Sequence, residues 1–326
     1  MSFDVVCLRP EADFLRVGVT PPKALKISYR APDDAELARL LRDARALVMS
    51  AVGPKLPASL MDKSALKLIQ VTGAGVDRLD EDALKRFGIP VANVPGGSND
   101  AVAEYVVAAA SVLLRRLAWS DQEVRAGRYK EFRAALLAAN LTGLNGLTVG
   151  IVGMGTIGIA VAKALRAYDC EILYCDPSPR DSKSAAQLGA RPAPLDMLLA
   201  RSDVVTVHVP LFPATRGMIA APQLAKMKKD SILVNAARGG VVDEAALAAA
   251  LRSGAIAGAA VDVYSVEPPE PSNPLLTLEG DAARRLLLTP HIAGITRQAS
   301  VALFRAAWEN VERVLVQGLA PLNRLY

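Results

Sequence analysis

Cysteine is scarce in this 326-residue chain, and the three present, Cys7, Cys170 and Cys175, show no C-x-x-C spacing. That argues against a disulfide framework and a thiolate metal cluster, and it suits a reducing compartment such as the cytoplasm. No metal site is expected. Long apolar runs are also missing. None reaches the roughly 18–20 residues that cross a bilayer, so no membrane partner is expected. The opening Met-Ser-Phe-Asp-Val-Val lacks a basic stretch, so no signal peptide is expected either. Clusters of like charge are absent: the net charge of +5 is dispersed, which speaks for solubility and against a nucleic-acid partner. Histidine is limited to His208 and His291, which narrows the search for a group that titrates near neutral pH. Aromatics make up 5% of a chain that is 52% hydrophobic and rich in Ala, Val and Leu. This is the composition of an α/β protein around a buried parallel sheet, with length for about two domains.

What is present is organised around Thr148-Val-Gly-Ile-Val-Gly-Met-Gly-Thr-Ile-Gly158, followed by an apolar helical pattern and then Tyr174-Cys-Asp176. A β-branched strand runs into a turn with Gly153, Gly155 and Gly158 spaced G-x-G-x-x-G, and a second strand ends on an acid. Each part has a task in holding a dinucleotide. Gly153 permits the tight turn, Gly155 lets the backbone approach a pyrophosphate, and Gly158 lets helix and strand pack closely. The amides at the helix start face the phosphates, where the helix dipole also favours negative charge. Asp176, eighteen residues after Gly158, can accept hydrogen bonds from ribose hydroxyls.

Ahead of this fingerprint, strands are expected at Val5–Leu8, Ala46–Met49, Leu66–Val71 and Val91–Val94, with helices at Asp33–Ala44 and Glu81–Arg86, a small αβ layer of its own. The turn Val71-Thr-Gly-Ala-Gly-Val-Asp77 stands at a strand's carboxyl end, where open parallel sheets bind ligands. The amides around Gly73, Ala74 and Gly75 could hold a carboxylate, or the segment is a plain βα turn. After Pro95-Gly-Gly97 a helix capped by Ser98 or Asn99 runs to Arg115 and is apolar on nearly every face. One helix rarely buries itself all round against its own sheet, so part of the 101–117 region is expected in a homodimer interface. Residues 119–145 read as helical and more polar. Beyond Asp176 the βαβ alternation continues through strands at Val204–Pro210, Ser231–Asn235, Ile256–Val263 and Leu286–Thr289, which predicts a doubly wound parallel sheet. The last helix, Arg297–Gln317, is expected to return to the first domain. The expected division is 1–97 plus 293–326 as a discontinuous substrate domain, and 98–292 as a Rossmann domain.

Three polar residues follow strands of that second sheet. His291 emerges after Leu286–Pro290, Arg238 after Val234-Asn-Ala-Ala, and Glu267 after Val261-Asp-Val-Tyr-Ser-Val. Each alone is unremarkable, but a histidine, an arginine and an acid at one sheet edge suit acid–base work on an anionic substrate. His208, next to Pro210, reads as a cofactor-lining or strand-end residue. With these segments in place the chain resembles, over nearly its full length, the D-isomer-specific 2-hydroxyacid dehydrogenase family. This is the superfamily of phosphoglycerate dehydrogenases and of glyoxylate and hydroxypyruvate reductases. The specific carriers are Gly153–Gly158, Val234-Asn-Ala-Ala-Arg-Gly-Gly-Val-Val-Asp-Glu244, Ala260-Val-Asp-Val-Tyr264 with Glu267-Pro268, and Thr289-Pro-His-Ile-Ala293.

The resemblance implies two Rossmann-like or flavodoxin-like parallel-sheet domains, with the active site in the cleft between them. It implies a catalytic set of Arg238, Glu267 and His291. Arg238 would hold the substrate carboxylate and polarise its 2-oxo oxygen. His291 would pass a proton to that oxygen as hydride arrives at carbon, and Glu267 would fix the His291 tautomer and favour its charged form. By the same resemblance Gly153, Gly155, Thr156, Ile157, Gly158, Asp176, His208, Val209, Pro210, Thr215, Ala236, Ala237, Arg238, Asp262, His291 and Gly294 would line the cofactor. Asp262 would reach the nicotinamide carboxamide. Ser50, Ala51, Gly73, Ala74 and Gly75 would meet the substrate together with Arg238 and His291.

Two departures from the family pattern matter. The Glu267–His291 interval is longer than usual, through Glu279–Arg285, which leaves the loop shape open. Where phosphoglycerate dehydrogenases of the family carry Arg-Ser-Ala/Gly-Thr, this chain reads Met49-Ser-Ala-Val52, so the phosphate-holding arginine is missing. A smaller or apolar 2-oxo acid is expected instead. The Asp176 carboxylate would repel a 2′-phosphate and favours NAD, while Arg180 downstream leaves NADP open. The alternatives are a D-3-phosphoglycerate dehydrogenase, a formate dehydrogenase, which typically has Gln where Glu267 stands, and an NAD(H)-sensing protein like the C-terminal-binding-protein corepressors.

Overall fold

The computed structural model describes residues 3–178 and 182–326. Arg180 lies outside them. The chain divides into two compact units, residues 1–98 with 295–326, and residues 99–294.

The first unit is built on β1 (Val5–Cys7), α1 (Glu11–Arg16), β2 (Ile27–Tyr29), α2 (Leu37–Asp43), β3 (Ala46–Met49), β4 (Leu68–Val71), α3 (Glu81–Phe87) and β5 (Val91–Ala92). The strands form a parallel five-stranded sheet in the order β2-β1-β3-β4-β5. β1, β3 and β4 are buried at every residue, as a sheet covered on both faces requires. Local chemistry sets the ends of α3: the Asp80 carboxylate accepts Ala83 N–H, and Gly88 closes the helix at φ 70°. The sequence pattern did not reveal α1 or β2. Both are short, and β2 is an edge strand whose outer residues are half-exposed, so it lacks a buried strand's continuous apolar run.

The second unit runs α4 (Asn99–Leu114), α5 (Leu117–Arg125), α6 (Tyr129–Ala138), β6 (Thr148–Val152), α7 (Thr156–Leu165), β7 (Glu171–Cys175), α8 (Ser182–Gln187), β8 (Arg191–Pro192), α9 (Leu195–Arg201) and β9 (Val204–Val207). It continues with α10 (Ala221–Leu224), β10 (Ile232–Asn235), α11 (Glu244–Ser253), β11 (Gly258–Val261), α12 (Gly280–Arg284) and β12 (Leu286–Leu288). Among the described residues its sheet is seven-stranded and parallel, in the order β12-β11-β10-β9-β6-β7-β8. The chain crosses from β6 outward to β7 on one side and returns to β9 on the other. The carboxyl ends of β6 and β9 therefore flank the crevice where such sheets bind ligands. Close packing holds this centre. A Cβ on Gly150 of β6 would meet Leu198 Cδ2 and Ser202 Oγ, each at 2.4 Å.

α4 is covered in part by its own unit. Ala101, Val102, Ala103, Val106, Ala109 and Ala110 are buried within this unit, where the helix packs against α7, β10 and β11, while Glu104 and Ala108 remain exposed. The small alanines let α4 approach its neighbours closely. The longer Glu267–His291 interval is explained as well. Its additional residues form α12, and Arg285 pins that segment by donating to Leu251 O at 2.6 Å and Ile256 O at 3.3 Å. No helix among the described residues is long and apolar enough to cross a membrane.

The last helix, α13 (Arg297–Leu315), belongs to the first unit. Its Phe304 and Trp308 meet Phe14 edge-on at 4.8 and 5.3 Å, and its buried Asn310 donates to Gln70 Oε1 of β4 at 2.6 Å.

Candidate active site

The glycine turn after β6 separates into three physical roles. Gly153 has φ 98°, and a Cβ there would lie 2.7 Å from His208 O, so side-chain-free backbone is needed where β6 meets the end of β9. A Cβ on Gly158 would lie 2.3 Å from Gly153 O, so this glycine lets α7 sit directly on the turn. Gly155 is the opposite case: nothing lies within 4 Å of its Cβ position, which leaves open space at the start of α7. No side chain caps that helix, so its first amides face this space unpaired by a capping group. A dinucleotide pyrophosphate fits that combination. Asp176 braces the same turn. Its Oδ2 accepts Met154 N–H at 2.7 Å and its Oδ1 accepts Ser178 N–H at 2.8 Å, and each oxygen retains a lone pair for a ribose hydroxyl.

His208 stands just past the end of β9. Its Nε2 is paired with Thr206 Oγ1 at 2.8 Å, its Nδ1 is buried without a partner, and burial lowers its pKa to about 3, so the ring is neutral. Thr215 ties its loop shut, with Oγ1 donating to Pro210 O at 2.6 Å and accepting Phe212 N–H at 3.0 Å. Val209 is half-buried and Pro210 exposed on that loop, while Ala236 and Ala237 are buried after β10.

The expected partners Glu267 and His291 are in contact. His291 Nδ1 lies 2.8 Å from Glu267 Oε2, and Glu267 Oε1 accepts Tyr264 N–H at 3.0 Å. Burial pushes the Glu267 carboxyl up. The hydrogen bonds from His291 and Tyr264 N–H, with the charges of His291 and Arg238, outweigh it and hold the group below its ordinary value. Arg238 follows β10 with Nη1 on Ala237 O at 2.7 Å, and its charge reaches Glu267.

His291 occupies a left-handed backbone conformation, φ 55°, at a cost of roughly 1–3 kcal/mol for a non-glycine residue. Buried Asp262 holds it there. The Asp262 carbonyl accepts His291 N–H at 2.8 Å, while its carboxylate accepts Ile292 N–H and Ala293 N–H, both at 2.8 Å, and Thr289 Oγ1 at 2.5 Å. Because the Thr289 proton goes to Asp262, the Tyr105 hydroxyl at 2.7 Å is the donor to Thr289 Oγ1. Burial lifts the Tyr105 phenol to about 12, so it stays a donor. Sequence reasoning missed Tyr105 and Thr289 as supports. One looked like another member of an apolar helix, and the other like motif spacing.

In the first unit the expected substrate residues stand on the neighbouring ends of β3 and β4. A Cβ on Gly73 would lie 2.8 Å from Ala51 Cβ, so the two loops touch. Ser50 Oγ accepts Val52 N–H at 3.1 Å, Ala74 is exposed, Gly75 is half-buried, and Asn93 Nδ2 holds Ala74 O at 2.8 Å. An unforeseen residue crosses these loops. Arg78, 5% exposed, donates from Nη1 to Ser50 O at 2.7 Å and Val52 O at 3.1 Å, and from Nε to Pro54 O at 2.7 Å.

Comparison with known proteins places the chain in a family. The sequence profile described as "D-isomer specific 2-hydroxyacid dehydrogenase, NAD binding domain" matches residues 107–293. A glyoxylate reductase of Thermofilum pendens is 38% identical over 292 residues, covering 89% of this chain and 84% of that protein. A D-3-phosphoglycerate dehydrogenase of Archaeoglobus fulgidus is 42% identical over 236 residues, which is 72% of this chain but only 43% of that protein's length. The holo D-mandelate dehydrogenase of Rhodotorula graminis superposes with a TM-score of 0.83 at 26% identity, over 99% of this chain and 97% of that one. The chain belongs to the D-isomer-specific 2-hydroxyacid dehydrogenase family, and its second unit carries that family's NAD-binding domain.

Proposed function

We propose that this chain reduces a small, non-phosphorylated 2-oxo acid, of the glyoxylate or hydroxypyruvate kind or with an apolar side chain, to its D-2-hydroxy acid. Bound NADH supplies the hydride. Arg238 holds the substrate carboxylate and polarises the 2-oxo oxygen, a task that suits a planar, permanently charged fork. His291 delivers a proton from Nε2 to that oxygen, while Glu267 on Nδ1 fixes the tautomer and favours the charged ring. The Gly73–Gly75 turn supplies backbone amides to the carboxylate. The observation that carries this reading is the 2.8 Å Glu267–His291 contact, which leaves Nε2 as the ring nitrogen for substrate.

Two observations support a substrate without phosphate. Met49–Val52 carries no arginine, and Arg78 beside it is turned inward onto three carbonyls. Asp176 supports NAD over NADP, since a 2′-phosphate would meet its carboxylate. A homodimer through the 101–117 region and the helices after it is supported by exposed apolar side chains at Leu117, Val124, Tyr129 and Leu137, and a monomer mass by light scattering would remove it. Three unpaired cysteines support a cytoplasmic setting.

The test is NADH consumption with glyoxylate, hydroxypyruvate, pyruvate, phenylpyruvate and 3-phosphohydroxypyruvate. Turnover of one of the first four above the phosphorylated acid is expected. Preference for the phosphorylated acid would establish phosphoglycerate oxidation in its place. Tight NADH binding with no turnover of any of the five would establish an NAD(H)-sensing role.

A further inference from the structure

Arg238 and Glu267 sit on two different turns, one after β10 and one after β11, and the chemistry proposed above needs them in register. The two turns abut at the backbone. A Cβ on Gly239 would lie 1.8 Å from Tyr264 O and 2.5 Å from Ser265 N, so the peptide next to Arg238 rests directly on the peptide that leads into Glu267. Such an approach fixes distance but resists no sliding or lifting. What spans the junction is Glu244, the first residue of α11, six residues beyond Arg238. Its Oε1 accepts both Ser265 N–H at 2.6 Å and Ser265 Oγ–H at 2.8 Å, and its Oε2 accepts Asn273 Nδ2 at 2.6 Å. Asn273 in turn organises the far side of the loop, with its Oδ1 accepting Leu275 N–H at 2.9 Å and its own N–H donating to Glu270 O at 2.9 Å.

We propose that Glu244 is a positioning residue for the reaction, a carboxylate clasp that fastens the Glu267-bearing loop, at Ser265 and at Asn273, to the helix that follows the Arg238 turn. Three short hydrogen bonds from one ionised group make the joint stiff, because charge-assisted bonds are shorter and roughly twice as strong as neutral ones. They reach residues 21 and 29 positions away in the chain, so they join loops rather than shape a local turn. A helix-start role for Glu244 would need none of them. The α11 N-terminus already has a cap in Asp243, whose carboxylate accepts Ala246 N–H at 2.8 Å. Loosening the clasp frees Ser265, two residues before Glu267, and so weakens the Glu267–His291 pair without removing either partner.

The inference rests on the dehydrogenase reading, and the experiment separates the two. The pH profile of kcat/KM for 2-oxo acid reduction is measured for the wild-type enzyme and for Glu244→Ala and Glu244→Gln, with amide hydrogen exchange followed at Ser265. Glu244→Ala is expected to lower kcat/KM about tenfold to a hundredfold, as a displaced catalytic group does. It is also expected to narrow the bell-shaped profile on its acid side, because a freed Glu267 takes up its proton at higher pH. Glu244→Gln, which keeps an acceptor for Ser265, is expected to restore most of the width. A Glu244→Ala enzyme that loses thermal stability but keeps the wild-type profile and kcat/KM would overturn the proposal. Should Glu244→Ala fail to fold, Asn273→Asp sets a second carboxylate against Glu244 and is expected to narrow the profile in the same way, while an unchanged profile would overturn the clasp. Should the wild-type protein turn over no 2-oxo acid, the dehydrogenase reading fails, and the clasp stands or falls on whether Ser265 N–H exchange quickens in Glu244→Ala.

Discussion

The two units solve one problem with opposite charges. Each presents loops at the carboxyl ends of a parallel sheet, and each must hold those loops still. In the first unit a buried cation does it: Arg78 gathers the carbonyls of Ser50, Val52 and Pro54. In the second unit buried or half-buried anions do it: Asp176 takes the Met154 amide, Asp262 takes the Ile292 and Ala293 amides, and Glu244 takes Ser265. A guanidinium consumes carbonyls, which suits loops proposed to offer their backbone amides to a carboxylate. Carboxylates consume amides and fix the side chains those loops carry, which suits chemistry at set positions. One unit offers backbone, and the other offers side chains.

The comparison is sharpened most by His291→Ala, which leaves the Asp262 brace in place but removes the proton donor. A fall in kcat of about 10²–10⁴ is expected, with little change in NADH affinity, measured by steady-state kinetics and fluorescence titration. Next is Arg78→Met, which keeps bulk but abandons three carbonyls. Ser50 is half-buried and Val52 and Pro54 are exposed, so water can take up part of what the guanidinium leaves; a modestly lower unfolding midpoint and a higher KM for the 2-oxo acid are expected. Its NADH affinity should stay as in the wild type. An equal loss of NADH affinity would break the comparison, because Arg78 would then serve both units.

A smaller effect belongs to His208. Its folded-state pKa, about 3, lies below the 6.5 of a free histidine. The stability it contributes is therefore full above about pH 6.5 and is lost as pH falls toward 3. His208→Asn should flatten the dependence of the denaturation midpoint on pH across that window, and an unchanged slope would place the acid sensitivity elsewhere. Smallest is Asp176→Ala, expected to relax the NAD-to-NADP ratio of kcat/KM by about tenfold, the worth of roughly 1.4 kcal/mol. An unchanged ratio would leave Asp176 as the brace of the glycine turn and nothing more.

The legibility of these features in the sequence follows from their range. Gly153, Gly155 and Gly158 were readable because a turn, an open approach and a tight helix contact each make a local demand that glycine alone meets. The same spacing predicted where the acid of Asp176 falls, but not that it grips Met154 N–H. α4 was legible as an apolar helix, but periodicity reports which faces are apolar and not what covers them. Its alanines pack against α7, β10 and β11 of its own unit. The long interval before His291 could not be shaped from sequence, since α12 is held by Arg285 contacts to Leu251 and Ile256, 34 and 29 residues back.

The sequence by itself determined the alternation of strands and helices, the glycine turn and the identity of the polar residues placed at strand ends, because these depend on neighbours a few positions apart. Only the tertiary structure decided which of those residues are held and by what. Nothing in the local sequence marks Arg78, yet it ties the β3 and β4 loops. Glu244, legible only as the last residue of the Val234–Glu244 motif, spans Ser265 and Asn273. His291 sits in a left-handed backbone conformation that Asp262, distant in the chain, keeps in place through both its carbonyl and its carboxylate. Hydrogen bonds between residues 20 to 30 positions apart leave no periodic trace in a chain. They exist only once the sheet has brought its strand ends together.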